Sequence, residues 1–187
     1  MLGQEERAAS LADYGEQALR NVAAALKDLP EEQKLTVYYA ESPDGLATDC
    51  DGSFHAEAIK LAGGANVYHC KQHAGSGQDR VGLDQVILFH PARIVAQDAT
   101  FVKGVGQDIP WQDIPAVRDG KVVAIPHTPF NWVDRPPSYV RFLGVQWLAN
   151  WLYPDRFPLD LKAETRKFYH LAYGVDLTDQ DFEAIIP

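Results

Sequence analysis

The sequence predicts an α/β fold in three layers, a mostly parallel sheet of about four strands held between helices, with one long helix ahead of it. Three observations predict it. Short β-branched or aromatic runs alternate with stretches of helical periodicity, the order that a parallel sheet covered on both faces requires. The 187 residues are enough for one such unit, or at most two small ones. Hydrophobic residues make up 46% and charged residues 23%, so the chain can bury a core and is not of a disordered class.

The elements follow in order. Residues 5 to 29 carry Leu11, Tyr14, Ala18, Val22, Ala25 and Leu29 at spacings of three and four, one apolar face of a long helix that Pro30 ends. Residues 35 to 40 read as a buried strand. A polar loop from 41 to 52 leads to a helix over 53 to 62, with Asp51 or Ser53 as its cap and Gly63 and Gly64 as its stop. A second strand covers 65 to 69, a helix 83 to 90, a third strand 93 to 98 and a fourth 121 to 126. Pro136 and Pro137 suit a first helical turn, so a helix is expected from there to about Tyr153, apolar on nearly every face and therefore packed all round. Helices over 159 to 173 and 178 to 186 close the chain.

Charge and patterning exclude several function classes. Seventeen basic against 26 acidic residues leave a net charge of −9 with no Lys/Arg run, so no nucleic-acid partner is expected. No apolar stretch approaches the ~20 residues of a membrane span, and the first residues do not read as a signal peptide. Membrane insertion is not expected. Cys50 and Cys70 could form a disulfide or remain two free thiols. His69, Cys70 and His73 lie close in sequence but lack a second ligand pair, so no metal site is assigned.

Catalytic signatures are lacking as well. There is no nucleophile elbow, phosphate loop, zinc-protease pair or dinucleotide fingerprint. The polar residues Ser42, Asp44, Asp49, Asp51, His55, Asp98, His127 and Asp134 fall mainly in the segments 41 to 52, 98 to 110 and 127 to 137, the loops leaving the carboxyl ends of strands, where parallel sheets gather ligands. Asp134 reads as the cap of the following helix. Arg135 and the free amides of that helix start would seat an anion, with Phe130 and Trp132 as a flat apolar wall.

Four segments carry a family resemblance: Val37-Tyr-Tyr-Ala-Glu-Ser-Pro-Asp-Gly-Leu-Ala-Thr-Asp, Gly52-Ser-Phe-His-Ala-Glu-Ala-Ile-Lys-Leu-Ala-Gly-Gly-Ala-Asn-Val67, Pro91-Ala-Arg-Ile-Val-Ala-Gln-Asp98 and Asn131-Trp-Val-Asp-Arg-Pro-Pro. In this order they resemble the carboxyl-terminal lobe of the periplasmic binding proteins that serve ABC importers of iron-siderophore, haem, cobalamin and related metal complexes. The resemblance implies two α/β lobes joined by a rigid helix, here residues 1 to 32, with 33 to 187 as the carboxyl-terminal lobe and the amino-terminal lobe and signal peptide absent. It implies a location in the periplasm or cell envelope for the full-length form. It also implies a ligand (siderophore, haem, cobalamin or oxyanion) facing Ser42, Asp44, His55, Asp98, His127, Trp132 and Arg135, and ABC permease subunits met by Glu57. No cofactor or catalysis is implied. The alternative is a metal-chelatase-like enzyme of similar fold that uses His127 or His55.

Overall fold

The computed structural model describes residues 3–70 and 77–186. Its elements are α1 (Glu5–Leu26), β1 (Thr36–Ala40), β2 (Ala47–Thr48), α2 (Glu57–Leu61), β3 (Ala65–Asn66), β4 (Asp79–Arg80), α3 (Leu83–Phe89) and β5 (Arg93–Ala96). After them come α4 (Ala99–Val105), α5 (Pro115–Arg118), β6 (Val122–Ala124), α6 (Arg141–Leu152), α7 (Leu161–Tyr173) and α8 (Asp179–Ile185). Four strands form a parallel sheet in the order β3-β1-β5-β6, as the alternation of strands and helices predicts.

Strand side chains alternate between faces, and that period of two divides the core. Val37, Tyr39 and Val95 join one cluster with α1, α2, α6, α7 and Ile185 of α8. Tyr38, Ala40, Ile94 and Ala96 join a second with Val86 of α3, Phe101 of α4, Val117 of α5 and Trp111 from the turn between those two helices. The sheet is therefore the middle of three layers. Helix α6 is buried through Leu143, Val145, Trp147, Leu148 and Leu152, the all-round burial its apolar pattern predicts. Tyr14, Ala18 and Val22 lay one face of α1 against this core, and the Gln146 amide donates to the Tyr14 hydroxyl at 3.0 Å.

Several boundaries differ from the sequence expectation. The segment expected as a helix over 53 to 62 is helical only at Glu57–Leu61; Ser53 instead accepts from the His55 amide at 3.2 Å, holding a turn. Residues expected as a loop after 98 form α4, capped by the Asp98 carboxylate, which accepts from the Thr100 amide at 2.6 Å. Helix α6 begins at Arg141 and not at the two prolines, because Arg135 just ahead of them is held by Glu41 and Asp49 in the segment that leads to the helix. The antiparallel pair β2–β4 was not foreseen, since two-residue strands leave no periodic signal. Cys50 and Cys70 form a disulfide with their Cα atoms 5.6 Å apart, which ties the loop after β1 to the chain leaving β3.

Candidate functional site

Strands β1, β5 and β6 all end at one edge of the sheet, where a cleft of about 480 Å³ opens. Glu41 follows β1, Gln97 and Asp98 follow β5, and Ile125, His127 and Thr128 follow β6, with α8 as a further wall. This is the place where a parallel sheet brings loops from distant parts of the chain together. The Gln97 amide donates to the buried Tyr39 hydroxyl at 3.0 Å, so one wall of the cleft is braced by the strand beneath it.

Behind Glu41 lies a buried ionic cluster. Arg135 Nε is 3.1 Å from Glu41 Oε1 and 3.2 Å from Asp134 Oδ2, while its Nη2 is 3.1 Å from Asp49 Oδ2. Three carboxylates thus surround one guanidinium, and all three are buried. Asp134 also meets His55, whose Nδ1 is 2.6 Å from Oδ1. Gly77 closes over the pair with φ +73°; a Cβ there would stand 2.0 Å from Asp49 Oδ2 and 2.6 Å from Arg135 Nη2. Glycine suits both the left-handed backbone and the close approach.

Desolvation governs the charges here. Burial pushes the Glu41 carboxyl up to about 7, with the Arg135 hydrogen bond pulling the other way and Asp49 adding to the rise. Its Oε2 is sealed from solvent without a hydrogen-bond partner. Burial also raises Asp134, opposed by His55 and Arg135. A carboxyl raised on folding costs stability as pH climbs from the unfolded value, ~4.3, toward the folded one, because only the unfolded chain releases its proton freely in that window. The variant E41Q should therefore gain on the wild type by roughly 2–3 kcal/mol between pH 4 and pH 8. Urea unfolding at the two pH values measures this, and a constant difference would show that Glu41 keeps an ordinary pKa.

The structure divides the residues selected from sequence. Asp98 and His127 line the cleft. Ser42 and Asp44 lie on the loop after β1, where the Ser42 hydroxyl donates to Asp44 at 2.5 Å and Arg80 holds the same carboxylate at 2.7 Å. Arg80, then Ser42, keeps Asp44 well below the usual carboxylate range. His55 is buried against Phe54 and Asp134. Trp132 is 0% exposed, its indole N–H donating to the Thr128 carbonyl at 2.9 Å, so its ring faces the core and offers no wall to a ligand. Phe130 is exposed. Asp134 does not cap a helix; it belongs to the ionic cluster. Arg135 is no anion seat at a helix start, because its charge is already met by three carboxylates. Glu57 opens α2 and pairs with Arg141 at 3.0 Å while remaining half exposed. His69 meets Asp51 at 2.6 Å, Cys70 is in the disulfide and His73 lies outside the described residues.

Sequence reasoning missed Glu41 and Gln97. Their position one residue beyond a strand was a readable signal, but their burial and partners were not.

The chain is 32% identical over 162 residues to the molybdate-binding protein MolA of Haemophilus influenzae, a match that takes in 83% of this chain and 44% of that protein. Among solved structures, an ABC transporter solute-binding protein from Sulfurospirillum deleyianum superposes with a TM-score of 0.93 at 41% identity, over 97% of this chain and 56% of that one. The structure of H. influenzae MolA bound to molybdate superposes with a TM-score of 0.76 at 28% identity, over 91% of this chain and 51% of that one. No protein-family model matches the chain. The chain spans about half the length of the relatives it matches.

Proposed function

Because this chain has the fold and the sequence likeness of one half of ABC transporter solute-binding proteins, we propose that it serves as the carboxyl-terminal, ligand-facing half of such a receptor. On this reading residues 1 to 32 form the helix that connects two lobes and residues 33 to 187 the lobe itself. The ligand sits over the ends of β1, β5 and β6 and is held against a second, amino-terminal lobe. Ligand capture in such a receptor needs no chemical turnover, and the matching relatives are solute-binding proteins, so the chelatase-like alternative is not favoured.

Among the ligands the family resemblance allows, we favour a metal oxyanion of the molybdate type over an iron complex. The observation that carries this choice is the 32% identity to a molybdate-binding protein across 83% of the chain. Asp98 and His127 would contact the ligand directly. Ser42 and Asp44 would shape the rim, while His55, Trp132 and Arg135 would act from behind by holding the loops that carry it. Glu57, half exposed at the start of α2, would meet the permease subunits. Among the described residues no helix is long and apolar enough to cross a membrane. A place in the cell envelope is supported by the disulfide, which suits an oxidising compartment.

Titration calorimetry of the receptor that carries this half tests the proposal. Molybdate should bind with a Kd in the micromolar range or tighter, ~8 kcal/mol or more, and a ferric siderophore should bind far more weakly. The reverse order of affinities would return the ligand to the iron complexes, and turnover of a substrate by the chain would overturn the receptor reading.

A further inference from the structure

His127 is an exposed residue on the cleft wall just after β6, and the backbone on either side of it is pinned. The Trp132 amide donates to the Pro126 carbonyl at 3.0 Å, while the Trp132 indole N–H and the Tyr169 hydroxyl both donate to the Thr128 carbonyl. The ring itself meets Asn131, whose Nδ2 is 3.5 Å from His127 Nε2. Nδ1 makes no hydrogen bond among the described residues, so it is the ring nitrogen left for a ligand in the cleft.

The orientation of Asn131 fixes which nitrogen carries the proton. This residue is 2% exposed, and its Oδ1 accepts from two backbone amides, those of Val133 at 2.8 Å and Asp134 at 2.9 Å. An oxygen that takes two N–H groups cannot be exchanged with the amide nitrogen, so Nδ2 is the end that faces the ring. Nδ2 has hydrogens to give and nothing to accept with. His127 Nε2 must therefore receive, and a neutral imidazole that receives at Nε2 holds its proton on Nδ1. The contact is long, yet it decides by sign: a proton on Nε2 would point at another N–H and leave a buried amide without its acceptor.

We propose that Asn131 is a positioning residue that holds His127 in the Nδ1–H tautomer, so that the ring offers a hydrogen-bond donor to an oxyanion in the cleft. The inference rests on the receptor function proposed above and deepens it. Molybdate near neutral pH has no proton to give, so all of its oxygens are acceptors. The opposite tautomer would turn the Nδ1 lone pair toward them and repel. Asn131 removes that state without adding a charge to the site. An aspartate in its place would keep the two bonds at Oδ1, but its other oxygen would accept from Nε2–H and select the wrong form.

The first test needs no ligand. Nitrogen–proton correlation NMR of the histidine side chains at pH 8.5, with His127 identified by the signal lost in His127→Gln, reads the tautomer directly. The proton is expected on Nδ1 in the wild type and on Nε2 in Asn131→Asp. A wild-type spectrum with the proton on Nε2 would overturn the assignment and leave the receptor function intact, and this result does not depend on whether a variant folds.

The second test is titration calorimetry with molybdate on the receptor that carries this half, using the wild type, Asn131→Asp, His127→Gln and the double variant. Asn131→Asp should weaken binding about thirtyfold in the wild-type background but about threefold once His127 is glutamine, the smaller loss being the share due to added charge. The tenfold difference is the coupling between the two residues, ~1.4 kcal/mol. Equal losses in both backgrounds would show that Asn131 does not act through His127 and would overturn the proposal. Failure of the wild type to bind molybdate, with Nδ1–H seen by NMR, would instead sink the receptor reading for this ligand and the purpose assigned to the tautomer with it.

Discussion

Replacing Gly144 by alanine is expected to be among the most damaging single-methyl changes in the chain. Gly144 lies in the first turn of α6, pressed against the segment that leaves β6. A Cβ at this position would stand 1.7 Å from the Trp132 carbonyl oxygen and 2.6 Å from its carbonyl carbon. Both atoms are backbone, so no side-chain rotation relieves the clash. Helix α6 must move off the sheet or the 127–135 segment must shift, and either opens a core that includes Leu143, Trp147 and Leu148. The higher helix propensity of alanine, worth under ~1 kcal/mol, is overwhelmed. A loss of about 3 kcal/mol or more is expected, which is ~6–12 °C in Tm for a chain of this size. Thermal unfolding followed by circular dichroism measures it, and a Tm within ~2 °C of the wild type would show that the α6 contact is looser than described.

The second large effect is expected for Arg135→Ala. The change removes the guanidinium that meets Glu41, Asp49 and Asp134 together, and takes a counter-charge from three buried carboxylates. Breaking a buried pair from one side costs ~3–5 kcal/mol, because the surviving charge remains desolvated. The penalty must depend on pH. Without Arg135 the Glu41 carboxyl rises further above its unfolded value, so the variant loses stability as pH climbs and recovers it when the carboxyls protonate. Urea unfolding should therefore show a small deficit near pH 4 and the full one near pH 8. A lysine at this position restores charge but presents a point donor where the guanidinium fork meets three partners, so it should recover only part of the loss. A deficit independent of pH would mean that the side chain acts through packing and not through its charge.

These two residues also show how far the sequence could be read. The β-branched runs after Lys34 and after Lys121 announce strands, and the apolar residues on every side of the 141–152 helix announce its burial, because both signals are periodic and local. Helix α4 escaped because Thr100, Val102 and Gly104 are poor helix formers; Phe101 and Val105 hold it by packing into the cluster of Tyr38 and Trp111. The two prolines misled for a related reason. They are compatible with a helix start, yet Arg135 is drawn to Glu41 and Asp49 before the helix can begin.

Asp98 and His127 could be placed at the cleft from sequence, since each lies close after a strand and the ends of parallel strands converge. The fates of Trp132 and Arg135 could not. Nothing in the local order of residues says that an aromatic ring beside a cleft will turn inward, or that an arginine will be outnumbered by carboxylates.

From its own pattern the chain determined its layers, the parallel sheet and the edge at which a ligand site would lie, because hydrophobic period and strand–helix alternation are properties of neighbours in sequence. Only the tertiary structure decided the charge of that site. Arg135 meets Glu41 and Asp49 across separations of 94 and 86 residues. The cost of an ionised carboxyl depends on the water excluded around it, which no local stretch of sequence records.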